Sequence, residues 1–166
     1  GIGKVAQGRH VPRLQNLDGV EITHAWSRTP STAQAAAEQF GIKNVVSEWE
    51  EIAESPDLDA VVVATPPVLH LPATLACLNA GKHVLCQARM ARNLSEARRM
   101  LEASRATDLV TSLYPPLPGL KGDRVVQRML GDGYVGDILE VRVTAITPPL
   151  PAGWATDPDV AGVNTM

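Results

Sequence analysis

A chain of 166 residues fits one ordinary domain, or one domain and the beginning of another, and is long enough to bury a real core. Its 45% hydrophobic and 20% charged residues with a net charge of -3 describe a globular protein and argue against a polyanion-binding surface, so nucleic acid is not an expected partner. Cys77 and Cys86 lack a second pair or a histidine at finger spacing, so neither a disulfide framework nor a zinc site is suggested and both read as reduced, buried thiols.

The chain opens on Gly1 and Gly3, and Glu21 to Trp26 then reads as a short strand. Thr29 and Pro30 supply an N-cap and a first-turn proline for a helix whose Ala33, Ala36, Ala37 and Phe40 form one apolar stripe, with Gly41 placed for a left-handed C-cap. An apolar step at Val45-Val46 follows, and Ser47 to Glu50 reads as a capping box opening a short helix. Ala60 to Thr65 is apolar without alternation, as in strands covered on both faces of a parallel sheet.

The pattern then repeats. Pro72 to Ala80 predicts a helix closed by Gly81, and His83 to Cys86 a strand. Asn93 with Glu96 caps a further helix expected to turn Leu94, Ala97 and Leu101 inward, and Leu109 to Leu113 is the last parallel strand. Alternating strands and helices of this length imply right-handed βαβ units in an open, doubly wound sheet. Pro115, Pro116 and Pro118 end it. Asp123 is then expected to cap a helix with Val125, Val126, Met129 and Leu130. From Leu139 to Ala145 apolar and polar residues alternate, as in an antiparallel strand with one wet face. These signals divide the chain into a nucleotide-binding domain at 1–115 and the start of a second domain at 116–166. From Ile146 the chain is proline-rich without a clear period. No run of eighteen apolar residues and no leader of the secretory kind is visible, so neither a membrane partner nor export is expected, and a cytoplasmic location is the default.

Gly1-Ile2-Gly3-Lys4-Val5-Ala6 matches G-x-G-x-x-G/A, whose glycines let the backbone approach a pyrophosphate at a helix N-terminus. About 20 residues on, where a carboxylate would hold a ribose 2'-hydroxyl, stand Ser27, Arg28 and Thr29. A hydroxyl and a guanidinium suit a 2'-phosphate, which favours NADP over NAD. Thr65-Pro66-Pro67 leaves a strand at its carboxyl end, where ligands of open α/β sheets lie, and His70 follows. His70 is a candidate acid or base there, with a structural hydrogen-bonding role as the alternative. His10, His24 and His83 read as structural.

The string from Asp59 to Cys86, the opening G-x-G-x-x-A with His10 and Pro12, Ser27-Arg28 and Gly133 to Ile138 together resemble the glucose-fructose oxidoreductase and inositol dehydrogenase family. The resemblance implies a Rossmann domain followed by a larger α/β domain with an open antiparallel sheet. It also implies NAD(P)-dependent hydride transfer on small-molecule sugars, cyclitols or related alcohols and aldehydes, and association into homo-oligomers through the second domain's sheet. Where the family usually reads E-K-P, with a lysine that reaches nicotinamide and substrate, this chain reads Gln87-Ala88-Arg89. Alanine carries no proton, and Arg89 suits an electrostatic clamp better than acid-base work, with a surface or salt-bridged arginine as the favoured alternative. Three readings stay open: an oxidoreductase, a module that binds dinucleotide without turnover, and a non-functional fragment. In a sheet of order 3-2-1-4-5 the strand delivering the glycine turn is central. None is seen before Gly1, so the chain is expected to be marginal alone, or to close the gap by unusual pairing, and to belong to a longer reading frame. The family's D-x-G-x-H element is expected just beyond Ala161 to Met166.

Overall fold

The computed structural model describes residues 1–114, 122–142, 144 and 153–162. The first helix, α1, covers residues 4–15 and begins directly behind the glycines, where Gln7 N–H donates to Gly3 O at 3.0 Å. It passes through a π-turn at Ala6–His10 before ending as α-helix at Val11–Gln15. There follow β1 (His24–Ala25), α2 (Pro30–Phe40), β2 (Asn44–Val45), α3 (Trp49–Glu54) and β3 (Ala60–Val63). A 3₁₀ turn at Pro67–Leu69 leads into α4 (His70–Asn79), then β4 (His83–Gln87), α5 (Leu94–Arg105) and β5 (Thr111–Tyr114). After these come α6 (Asp123–Gly131), a 3₁₀ turn at Trp154–Thr156 and α7 (Pro158–Ala161).

Every ladder among the described residues is parallel, in a two-stranded sheet β1-β2 and a three-stranded sheet β3-β4-β5. The expected α/β architecture of parallel strands alternating with helices is therefore present. Two separate cores serve the two sheets. Ile2, Ala6, Val11, Ala25 and the alanines of α2 form one, while Val63, Leu71, Cys77, Val84, Cys86 and Met100 anchor the other. Between the sheets runs a groove of about 520 Å³, walled by residues 19–26 on one side and 57–62 on the other. β1 and β3 do not close it by pairing with each other.

The groove explains two differences from the sequence reading. Only His24–Ala25 of the expected Glu21 to Trp26 strand forms a ladder, because β2 supplies hydrogen bonds along one edge alone. On β3, Ala60 is exposed and Val61 and Val62 are half-buried, since that strand also borders the groove; only Val63 is fully buried.

Local signals mostly hold, with shifts of register. Thr29 and Pro30 open α2, and Gly41 takes the left-handed conformation at φ 70° that ends it. The capping box lies one residue later than expected, on Glu48 and Glu51, because the Glu51 carboxylate accepts from both Ser47 N–H and Glu48 N–H. Helix α4 starts at His70, two residues before Pro72. Asn93 caps α5 by accepting from Glu96 N–H at 2.9 Å, as expected. Its inward face is a correction: Leu94 and Leu101 are exposed, whereas Glu96 and Met100 are buried. An acid can occupy that face because Arg92 pairs with it at 2.5 Å, which also holds the Glu96 carboxyl below its usual range.

Lys82 is buried and donates from Nζ to Ser55 O at 2.5 Å and Leu58 O at 2.9 Å, fastening the entry of β4 to the end of α3. Helix α6 forms, but Gly122 rather than Asp123 is its N-cap and Val125 and Val126 are exposed. Residues 139–142 form no strand, and Leu139 and Val141 stand almost fully exposed, since no neighbouring edge among the described residues pairs with them. Val143, Ala145, the three prolines at 115, 116 and 118, and 163–166 lie outside the described residues.

Candidate functional site

The site gathers at the carboxyl ends of the strands, where the turns after β1 and β3 meet the glycines and His70 ties the turn after β4 to that after β3. Ile2 N–H donates to Trp26 O at 2.8 Å, so the glycine turn is pinned to the exit of β1. On its other side Gly1 faces the exit of β3. A Cβ on Gly1 would stand 3.1 Å from Thr65 Cγ2 and 3.3 Å from Ala64 O, a tight fit that a larger residue would enter only if the neighbours gave by a few tenths of an ångström. A Cβ on Gly3 would meet nothing within 4 Å, which leaves open space over the start of α1. The first-turn amides of that helix, at Lys4, Val5 and Ala6, have no intrahelical acceptors and carry the positive end of the helix dipole.

Ser27, Arg28 and Thr29 follow β1 directly. Thr29 N–H donates to Ser27 Oγ at 3.4 Å, while Arg28 is exposed and forms no ion pair among the described residues. Its guanidinium is thus available to an anion beside the glycine turn.

His70 is 1% exposed and braces two of these turns. Its Nε2 lies 2.7 Å from Thr65 O, and its Nδ1 lies 2.7 Å from Arg89 O and 3.2 Å from Met90 O. Burial pushes its pKa below the ordinary 6.5, outweighing the carbonyls that favour the cation. The neutral ring has a single N–H and donates to only one of these carbonyls, so one hydrogen bond and the close packing of the buried imidazole hold the turns after β3 and β4 together. Pro66 and Pro67 shape the first of those turns, with Pro67 buried at the start of the 3₁₀ segment.

A second cluster escaped the sequence reading. His10 is buried, and its Nε2 lies 3.0 Å from Gln87 Oε1 at the end of β4. Its ring meets Tyr114, the last residue of β5, edge to face at 4.8 Å, and Arg13 donates to the Tyr114 hydroxyl at 3.0 Å. The signal was present locally, since Ala6, His10 and Leu14 repeat every four residues along one face of α1, but Tyr114 is a hundred residues away. Gln87 therefore serves a bond across the sheet edge, with Ala88 half-buried beside it.

A dinucleotide fits these residues: Gly1 permits the close turn, the space over Gly3 is open, and the buried hydroxyl of Thr65 has no hydrogen-bond partner. Among the described residues no cluster of three or more His, Cys, Asp or Glu could hold a metal, and no helix is long and apolar enough to cross a membrane. Burial raises Cys77 to about 11 and Cys86 to about 12, so both thiols stay protonated near neutrality.

Comparison with known proteins agrees with this geometry. Residues 1–114 match the family described as "Oxidoreductase family, NAD-binding Rossmann fold". The chain belongs to the Gfo/Idh/MocA oxidoreductase family. Among relatives in this family, 1,5-anhydro-D-fructose reductase from Ensifer adhaerens is 34% identical, over 87% of this chain and 44% of that protein. Levoglucosan dehydrogenase from Pseudarthrobacter phenanthrenivorans is 30% identical, over 82% and 36%. The solved structure of KijD10, a 3-ketoreductase from Actinomadura kijaniata in complex with TDP-benzene and NADP, is 30% identical with a TM-score of 0.71, covering 80% of this chain and 42% of that one. The chain thus spans less than half the length of these Gfo/Idh/MocA relatives.

Proposed function

We propose that this chain is the dinucleotide-binding part of an NADP-preferring oxidoreductase that acts on a hydroxyl or carbonyl group of a sugar- or cyclitol-like small molecule. The observation that carries this reading is the glycine turn wedged between Trp26 and Thr65 with the unpaired Arg28 at its side. In it, the amides at Lys4, Val5 and Ala6 hold the pyrophosphate, Ser27, Arg28 and Thr29 hold a 2'-phosphate, and Thr65 to Pro67 with Gln87 and Ala88 line the nicotinamide end. Bound there, the nicotinamide supplies hydride transfer. Residues 116–166 begin the second domain, which completes the substrate site and carries self-association.

His70 has a positioning role in this reading. By fixing the carbonyls of Thr65 and Arg89 it keeps the turns after β3 and β4 in one arrangement at the sheet edge. Ala88 gives a second reading some weight, that of a module that binds the dinucleotide without turnover, because alanine offers no proton at a position facing the reaction.

Fluorescence titration with NADPH and NADH tests the proposal. The chain is expected to bind NADPH more tightly, and Arg28→Ala to weaken NADPH by about 10- to 100-fold, the loss of one charge-assisted phosphate contact, while leaving NADH unchanged. Equal affinity for the two cofactors, or no binding of either, refutes it. Absorbance at the nicotinamide band with a panel of polyols then separates an enzyme from a silent module.

A further inference from the structure

The cofactor reading leaves one cation at the sheet edge unexplained. Arg89 lies two residues beyond β4, and its Nη1 is buried without a hydrogen-bond partner. Among the described residues no carboxylate lies within ion-pair distance of it. A guanidinium stays protonated at any working pH, and a buried N–H without an acceptor forfeits the hydrogen bond that water had given it. Such a group can take an acceptor that arrives from outside the chain, and an oxyanion matches both its charge and its geometry.

The Thr65 hydroxyl, also buried and unpartnered, sits on the turn that His70 ties to Arg89: one imidazole has Thr65 O at 2.7 Å from one nitrogen and Arg89 O at 2.7 Å from the other. His70 therefore fixes the backbone of the two adjoining turns that carry these unpartnered polar groups. Arg28, the other unpaired cation of this edge, follows β1 beside the glycine turn.

We propose that Arg89 is a specificity-determining residue that receives an anionic substituent, a carboxylate or a phosphate, of the substrate. This deepens the oxidoreductase reading above and rests on it for the word substrate: the molecule reduced or oxidised is an acidic or phosphorylated sugar derivative rather than a neutral polyol. Arg89 anchors the charged end, which fixes the reacting carbon relative to the cofactor without any proton passing through the guanidinium.

Calorimetric titration in phosphate-free buffer tests this on the protein with and without NADPH, using two matched pairs, D-gluconate with D-sorbitol and D-glucose 6-phosphate with D-glucose. The acid of at least one pair is expected to bind about tenfold more tightly than its neutral partner, the worth of one charge-assisted hydrogen bond. Arg89→Gln is expected to abolish that preference, and Arg89→Lys to keep part of it by retaining the charge. NADPH affinity, measured on the same variants, stays at the wild-type value, and a wild-type melting temperature shows that the Gln variant is folded.

Equal binding of acid and neutral partner in both pairs overturns the proposal, as does a preference that survives in the folded Arg89→Gln variant. A parallel loss of NADPH affinity overturns it too, because Arg89 would then serve the cofactor's phosphates. Failure of the cofactor reading has a different mark: the acid preference and its dependence on Arg89 persist while NADPH binds to neither form.

Discussion

Replacing His70 by alanine removes the brace between the turns after β3 and β4. Two contacts of 2.7 Å to Thr65 O and Arg89 O vanish, and a side chain that is 1% exposed leaves a void. At about 1–1.5 kcal/mol for the one hydrogen bond a neutral ring can donate and about 1–2 kcal/mol for the lost packing, the variant is expected to be about 2–3.5 kcal/mol less stable. Urea denaturation followed by circular dichroism measures it. A loss below about 1 kcal/mol would refute the brace, because buried truncations of this kind cost more even without hydrogen bonds. The pH dependence gives a second check with a defined sign. Burial lowers the pKa of His70 in the folded chain below the ordinary 6.5, so the unfolded chain binds the proton more readily. Its contribution to stability is complete above about 6.5 and is lost as pH falls from there through the lower folded value. His70→Gln, which titrates nowhere in this window, is expected to flatten that part of the profile.

Two further outcomes follow from local geometry. Gly162 has φ 76°, and a Cβ there would stand 2.3 Å from Arg92 O. Gly162→Ala is expected to lift the segment that Arg92 Nη1 ties through Asp159 O at 3.1 Å, which limited proteolysis near 153–162 would register as faster cleavage; unchanged cleavage would contradict it. Cys77 and Cys86, raised to about 11 and about 12 by burial, are expected to react with a thiol reagent at pH 8 only after denaturant is added, and prompt labelling of the folded chain would show that the thiols are accessible.

The elements were legible wherever the signal was local. The apolar run at 60–65, the glycine at 41 and the Asn93 cap with Glu96 each depend on a few neighbours, and each is found close to its expected place. The inward stripe of α5 was misread because hydrophobicity alone nominates Leu94 and Leu101; the partner that makes Glu96 admissible, Arg92, is visible in the sequence only as another charge. His10 could not be paired with Gln87 and Tyr114 from spacing, since the three meet only when α1 crosses the ends of β4 and β5. Alternation at 139–145 predicted a strand from a rule about faces, whereas a strand also requires an edge to pair with, and residues 139–142 have none among the described residues.

The groove between the two sheets has a consequence for how the chain opens. Each sheet has its own core, and the direct backbone bond from Ile2 to Trp26 belongs to the smaller one. Cooperative opening follows contiguous packing. Amides of β1 and β2 are therefore expected to exchange with solvent sooner than those of β3, β4 and β5, which native-state hydrogen exchange measures, and the glycine turn is expected to follow β1. The contact of Gly1 with Thr65, the bond from His10 to Gln87 and that from Arg13 to Tyr114 are then the links through which opening of one group reaches the other.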